Sequence, residues 1–227
     1  MVRHGLAAAG GAVLGALFLL RLADGTAGYL VQSWYEPLLA ATAAGLVALG
    51  ASAGLAARRD GLSWSWRATP GGLLTAGLVS LPIAIGIGLR PEPLGSRSLA
   101  EGEGVRQFGT LVGVANSAER NLYQWAYAFE TEDPAALAGE AVDVVGFVYR
   151  PGAGEGRFMV ARFVVACCVA DAQGFVLPVQ WKNEGELKDD QWVRILGRVG
   201  TSADGRPIVQ ATSVELIEAP SNPYIYP

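Results

Sequence analysis

Cys167 and Cys168 stand side by side as the only cysteines of the 227-residue chain, with Arg162 five positions before the pair and Asp171 three after it. A vicinal thiol pair can form a strained disulfide, ligate a metal ion or sense oxidants, and a cysteine can also simply pack as a small apolar side chain. Neighbouring side chains of an extended strand point to opposite faces, so these two sulfurs cannot join without a local twist of the backbone. The chain has one histidine, His4, and no CxxC spacing. A closed tetrahedral zinc site, which wants four nitrogen or sulfur ligands, is therefore hard to assemble from this protein alone. Cys167 and Cys168 are the candidate metal ligands, and a thiol-bound ion is the one cofactor the residues imply. Arg162 would lower a thiol pKa if the fold brings it close. Asp171 has three candidate roles: orienting a thiol, binding a cation, or capping the turn that leads to Gly174. Asp189 and Asp190 fall in a polar turn and read as solvated surface. No GxSxG and no histidine beyond the N-terminus support a hydrolase, and the reading is of a non-enzyme.

The elements that must position this motif are strands. Residues 157–168 read as a central strand with Arg162, Val164, Ala166 and Cys168 on one face and Phe163, Val165 and Cys167 on the other. Residues 141–149, 174–181, 192–199 and 208–217 supply four more, separated by turns. With no long crossover helix, the five predict a small antiparallel barrel of the OB type, with Gly146 and Gly197 at bends or bulges. Before it, Leu122, Trp125, Ala126 and Phe129 recur at helical spacing after Ser117 and Asn121, candidate caps. That aromatic stripe reads as core, and residues 108–114 as a short strand or packed segment.

The first half of the chain is of another kind. Hydrophobic residues make up 51% of the whole and charged residues only 17%. Residues 1–95 carry a net +2 and residues 96–227 a net −6. The acidic second half argues against a nucleic-acid partner. Uncharged runs at about 5–22, 37–57 and 71–89 approach the roughly 20 residues that cross a bilayer. They predict three transmembrane helices rather than a cleaved signal peptide. Trp34 and Tyr35 before the second run, and Trp64 and Trp66 before the third, suit the membrane interface. Arg58, Arg59 and Arg67 place the loop between runs two and three in the cytoplasm by the positive-inside rule, which sets the N-terminus inside and everything after Arg90 outside. Gly11 and Gly15, and Gly50 and Gly54, have the GxxxG spacing of close helix packing, within the protein or against a partner. No ionisable residue lies deep in a run, so the helices read as an anchor and not as a transport path. The expected organisation is an anchor at 1–90, a Pro/Gly-rich linker at 91–104 and an outward domain at 105–227.

Gly146-Phe147-Val148-Tyr149-Arg150, Ala161-Arg162-Phe163, Cys167-Cys168-Val169-Ala170-Asp171, Asp190-Gln191-Trp192-Val193 and the ending from Pro220 to Tyr226 follow one another in an order that resembles the YcgQ-like family of bacterial permease subunits. The resemblance covers nearly the whole chain. It implies an accessory subunit, multi-pass in the plasma membrane, working beside a separate integral-membrane permease. Relatives can carry a histidine-rich loop between the second and third spans, where this chain has Trp64 and Trp66. The alternative reading is a thiol redox or metal-relay membrane protein acting through Cys167 and Cys168.

Overall fold

The computed structural model describes residues 2–59, 70–89, 91–101, 119–151 and 156–226. Trp64, Trp66, Arg67, Arg90, residues 108–114 and Ser117 lie outside the described residues. The chain divides into two compact units, Met1–Glu92 and Pro93–Pro227.

The first unit holds three helices on the three apolar runs: α1 Val2–Ala23, α2 Glu36–Arg59 and α3 Pro70–Gly88. Glycine sets how they meet. A Cβ on Gly15 would lie 2.6 Å from the Ala43 carbonyl of α2, and one on Gly86 of α3 would collide with the Leu17 side chain of α1. Gly15 thus serves packing inside the protein, whereas Gly54 has nothing within 4 Å. Arg21, in the last turn of α1, turns back onto the end of α3, donating to the Gly86 and Leu89 carbonyls at 2.9 and 3.2 Å. Both carbonyls lie at the C-terminal end of α3, the negative end of a helix, where a cation suits them. Among the described residues one helix, Ser33–Ala56, is long and apolar enough to cross a membrane, and Ala9–Ala23 is a shorter apolar helix. Of the three expected crossings, the one at Ser33–Ala56 meets both criteria among the described residues. Trp34 and Tyr35 at its start are exposed.

The second unit is a closed barrel in the order β1-β2-β3-β5-β4, formed by β1 Ala141–Tyr149, β2 Arg157–Val164, β3 Gln173–Gln180, β4 Trp192–Thr201 and β5 Pro207–Leu216. The expected small five-stranded barrel is present, but closed rather than partly open, and not wholly antiparallel. β3 and β5 pair in parallel at Val179–Val209 and Gln180–Gln210, because closing five strands this way brings two of the same direction together. Gly197 marks a register shift against β5, as a bulge should. Gly146 serves a close approach instead: a Cβ there would lie 2.5 Å from the Ala161 carbonyl and 2.9 Å from the Leu122 side chain.

Helices α4 Ser96–Glu101, α5 Leu122–Thr131 and α6 Pro134–Leu137 complete the unit. Asn121 caps α5 by accepting from the Gln124 amide at 3.0 Å while Gln124 accepts from the Asn121 amide at 2.9 Å. Below that cap, Leu122, Trp125 and Ala126 are buried with Val142, Val144, Val148 and Ile195 inside the barrel. The stripe is core. Residues 91–101 do not act as a linker throughout. Ser96 donates its amide and hydroxyl to Asp190 at 2.6 and 2.7 Å, and Leu99 of α4 is buried over Phe147, Phe163 and Trp192. Strand β2 is apolar on both sides, and a chain segment must cover the outer one.

Replacing Trp125 by alanine should lower the unfolding free energy by about 3–5 kcal/mol, the usual range for an aromatic removed from a packed core. Asn121→Ala should lower it by about 1 kcal/mol. Urea unfolding followed by the remaining tryptophans measures both, and equal effects would contradict this packing.

Candidate functional site

Strand β2 ends at Val164, so the cysteines sit not on a central strand but in the connection between β2 and β3. Two features stop the strand. Val165 leaves the barrel to pair with the C-terminal tail, its amide donating to the Ile225 carbonyl at 3.0 Å while the Ile225 amide donates to the Phe163 carbonyl at 2.9 Å. Then Asp171, in a 3-10 turn Val169–Asp171, takes the next amides: Oδ1 accepts from Ala166 at 2.9 Å, and Oδ2 from Cys167 and Cys168 at 2.8 and 3.3 Å. A carboxylate gathering successive amides competes with the sheet ladder for those donors. Asp171 therefore caps backwards, over the cysteines, and not forwards toward Gly174.

The result is an outward loop in which both thiols are free. Cys167 is exposed and Cys168 half-buried, with their sulfurs 3.6 Å apart, against about 2.05 Å for a disulfide. The sulfurs and one Asp171 oxygen all lie within 4.8 Å of one another. The carboxylate of Asp171, as acceptor for the thiol, pushes Cys167 up from 9.0 to about 12, with Cys168 adding to the effect. Desolvation works to raise Asp171, but the Cys167 thiol and the three amides outweigh it and hold the carboxyl below its ordinary value. Its surroundings therefore do not present Cys167 as a poised nucleophile.

Arg162 does not reach the pair. Its guanidinium donates to the carbonyls of Pro223 at 3.0 Å, Asn222 at 2.8 Å and Tyr224 at 3.4 Å, and lies 5.7 Å from the Trp192 ring. Burial pulls it below the usual arginine value. The residue expected to activate a thiol instead clamps the tail beside the loop. The tail is clamped again where the Tyr224 hydroxyl accepts from the Leu94 amide at 3.2 Å.

Two features had no signature in the pattern of residues. Asp190 has a positive φ of 65°, which aims its carboxylate at Ser96, and Asp189 accepts from the Arg150 amide at 3.0 Å, so the polar turn is a structural joint. A cavity of about 780 Å³ opens where the β4–β5 turn faces the start of β2, with Arg150, Arg157 and Arg206 offset by Glu130, Glu132 and Asp204.

Residues 117–227 match the family described as the DUF1980 C-terminal domain. Over 99 residues the chain is 27% identical to the UPF0703 protein YcgQ of Bacillus subtilis (strain 168), covering 41% of this chain and 35% of that protein. The chain thus spans about a third of the curated relative it matches. These likenesses support the YcgQ-like resemblance carried by the cysteine motif. An asparaginyl-tRNA synthetase from Pyrococcus horikoshii, complexed with asparaginyl-adenylate, aligns at 17% identity with a TM-score of 0.25, covering 39% of this chain and 23% of that one. At that score the likeness carries no argument.

A raised Cys167 pKa favours the thiol over the thiolate, so iodoacetamide should label Cys167 more slowly near neutral pH than it labels a free cysteine, and Asp171→Asn should speed the reaction. Mass spectrometry of the labelled peptide reads both rates. A depressed Asp171 contributes stability above its unfolded value that is lost as pH falls through the folded one. A raised Cys167 contributes stability below its unfolded value that is lost as pH rises through the folded one, so the protection of the amides of residues 166–168, taken relative to unstructured amides at the same pH, should be greatest between those edges. Arg162→Ala should free the tail at a cost of about 1.5–3 kcal/mol, the worth of hydrogen bonds to a charged group. Faster exchange of the Ile225 amide would register it.

Proposed function

We propose that this chain is a membrane-anchored, non-enzymatic accessory subunit of a bacterial transport system. In this reading α1–α3 cross the bilayer three times and the barrel stands outside, presenting its cysteine loop to an integral-membrane permease or to the substrate that permease moves. The observation that carries the reading is the exposed apolar surface of the helices. Leu38, Leu49 and Leu55 of α2 and Leu74, Leu78, Leu81 and Ile87 of α3 are each more than half exposed. A leucine kept out of water gains about 1.5–3 kcal/mol, so a row of them calls for lipid or for a partner's helices. The window Ser33–Ala56 has the length and hydropathy for a crossing. The uncharged interiors of the helices support anchoring over substrate passage. The arginines Arg58, Arg59 and Arg67 support the inside placement of the α2–α3 loop. The accessory role rests on the YcgQ-like resemblance, and the 27% identity over 99 residues to YcgQ supports that resemblance.

The test is fractionation and co-purification. The chain should pellet with membranes, resist carbonate extraction, and carry an integral-membrane protein through mild detergent. A tag after the barrel should be cut by protease added to spheroplasts. Release of the chain into the soluble fraction would end the anchoring reading, and a protected tag would reverse the orientation.

A further inference from the structure

We infer that Cys167, Cys168 and Asp171 form an exchangeable binding site for a single thiophilic metal cation of the Zn2+ class. The sulfur separation is the first argument. Two thiolates about 2.3 Å from a tetrahedral centre stand about 3.8 Å apart, and the sulfurs here are 3.6 Å apart. That spacing is the bite of a chelate and well beyond a disulfide bond. The third donor is at hand as well, since the Asp171 oxygen and both sulfurs fall within 4.8 Å of one another. Asp171 Oδ1 accepts a single amide, that of Ala166, which leaves it a lone pair for an ion.

The frame is the second argument. A metal site works when its ligands are held before the ion arrives. The loop is fixed on one side by the pairing of Val165 with Ile225, on the other by the β2–β3 register ending at Val164–Gln173, and in the middle by the three amides on Asp171. The nearest basic residue before it in sequence, Arg162, is committed to the tail carbonyls and supplies no competing positive charge to the donors. Three protein donors would leave one of the four tetrahedral positions open, and Cys167 is exposed. Sites that keep a position open take a water or an incoming ligand there, whereas closed four-ligand sites are structural. An ion held by this loop can therefore be handed on. The assignment is independent of the anchoring reading and stands or falls separately.

The test uses the full chain in detergent, reduced and stripped of metal. Titration with Zn2+ should show one ion per chain, and titration with Co2+ should raise a sulfur-to-metal charge-transfer band that weakens stepwise in Cys167→Ser and Cys168→Ser. Each of those variants and Asp171→Asn should lose at least roughly tenfold in affinity, no less than the loss of an outer partner of a metal ligand. Bound Zn2+ should protect both thiols from alkylation. The Cys167→Ser variant keeps the loop's volume, and an unchanged circular dichroism spectrum shows that its loss is not unfolding. Absence of Zn2+ binding, Co2+ binding without the charge-transfer band, or full affinity in the double serine variant would overturn the assignment. So would isolation of the reduced-buffer protein with the two cysteines joined as a disulfide.

Discussion

Strand β2 is apolar on both faces in a barrel too small to bury both by itself, and that constraint organises much of the second unit. Its inner residues Phe158 and Val160 join the barrel interior with the Trp125 helix. Its outer residues Ala161 and Phe163, with Val165 just past its end, would face water if nothing lay over them. Leu99 from before the barrel and Tyr224 from after it close that face together with Phe147 and Trp192. Burying an apolar side chain of this size is worth about 1.5–3 kcal/mol, enough to draw both flanking segments onto the sheet. Arg162, the polar residue between Ala161 and Phe163, then has to find acceptors near an apolar patch, and the tail carbonyls supply them. Gly174 follows from the same closure, since a Cβ there would collide with Leu99.

The cysteine loop is the place where this closure stops. Once Val165 has gone to the tail, the next three amides have no strand partner, and an unpaired backbone donor is expensive to bury or leave idle. Asp171 satisfies all three with one carboxylate. Doing so turns two thiols outward and lines them up with the oxygen that holds them. Loop conformation and donor convergence are thus one event, produced by a single acidic residue three positions after the pair.

Much of this was legible in the chain. The alternation of Val142, Val144 and Val148 placed β1 without error, and the helical spacing of Leu122, Trp125 and Ala126 placed α5 and its buried side. These signals are local and periodic. The end of β2 was not legible, because residues 162–168 are apolar enough to continue a strand, and what interrupts them is Ile225, about 60 positions away. The role of Arg162 was missed for the same reason: its partners are main-chain carbonyls, which leave no mark in a sequence. Asp190 looked like solvated surface because aspartate in a polar turn usually is, and its left-handed backbone and contact with Ser96 depend on a segment nearly 100 residues earlier. The glycines Gly146 and Gly197 were recognisable as special, but only packing distinguished a close approach from a bulge.

The hydrogen bond from the Leu94 amide to the Tyr224 hydroxyl brings the entry and exit of the second unit to one spot on its surface. A polypeptide whose beginning and end adjoin is nearly a ring, and joining them by a short bridge would cost little loop entropy. The same fold could then be cut open elsewhere, at the exposed β4–β5 turn for instance, and still have every strand beside its present neighbours.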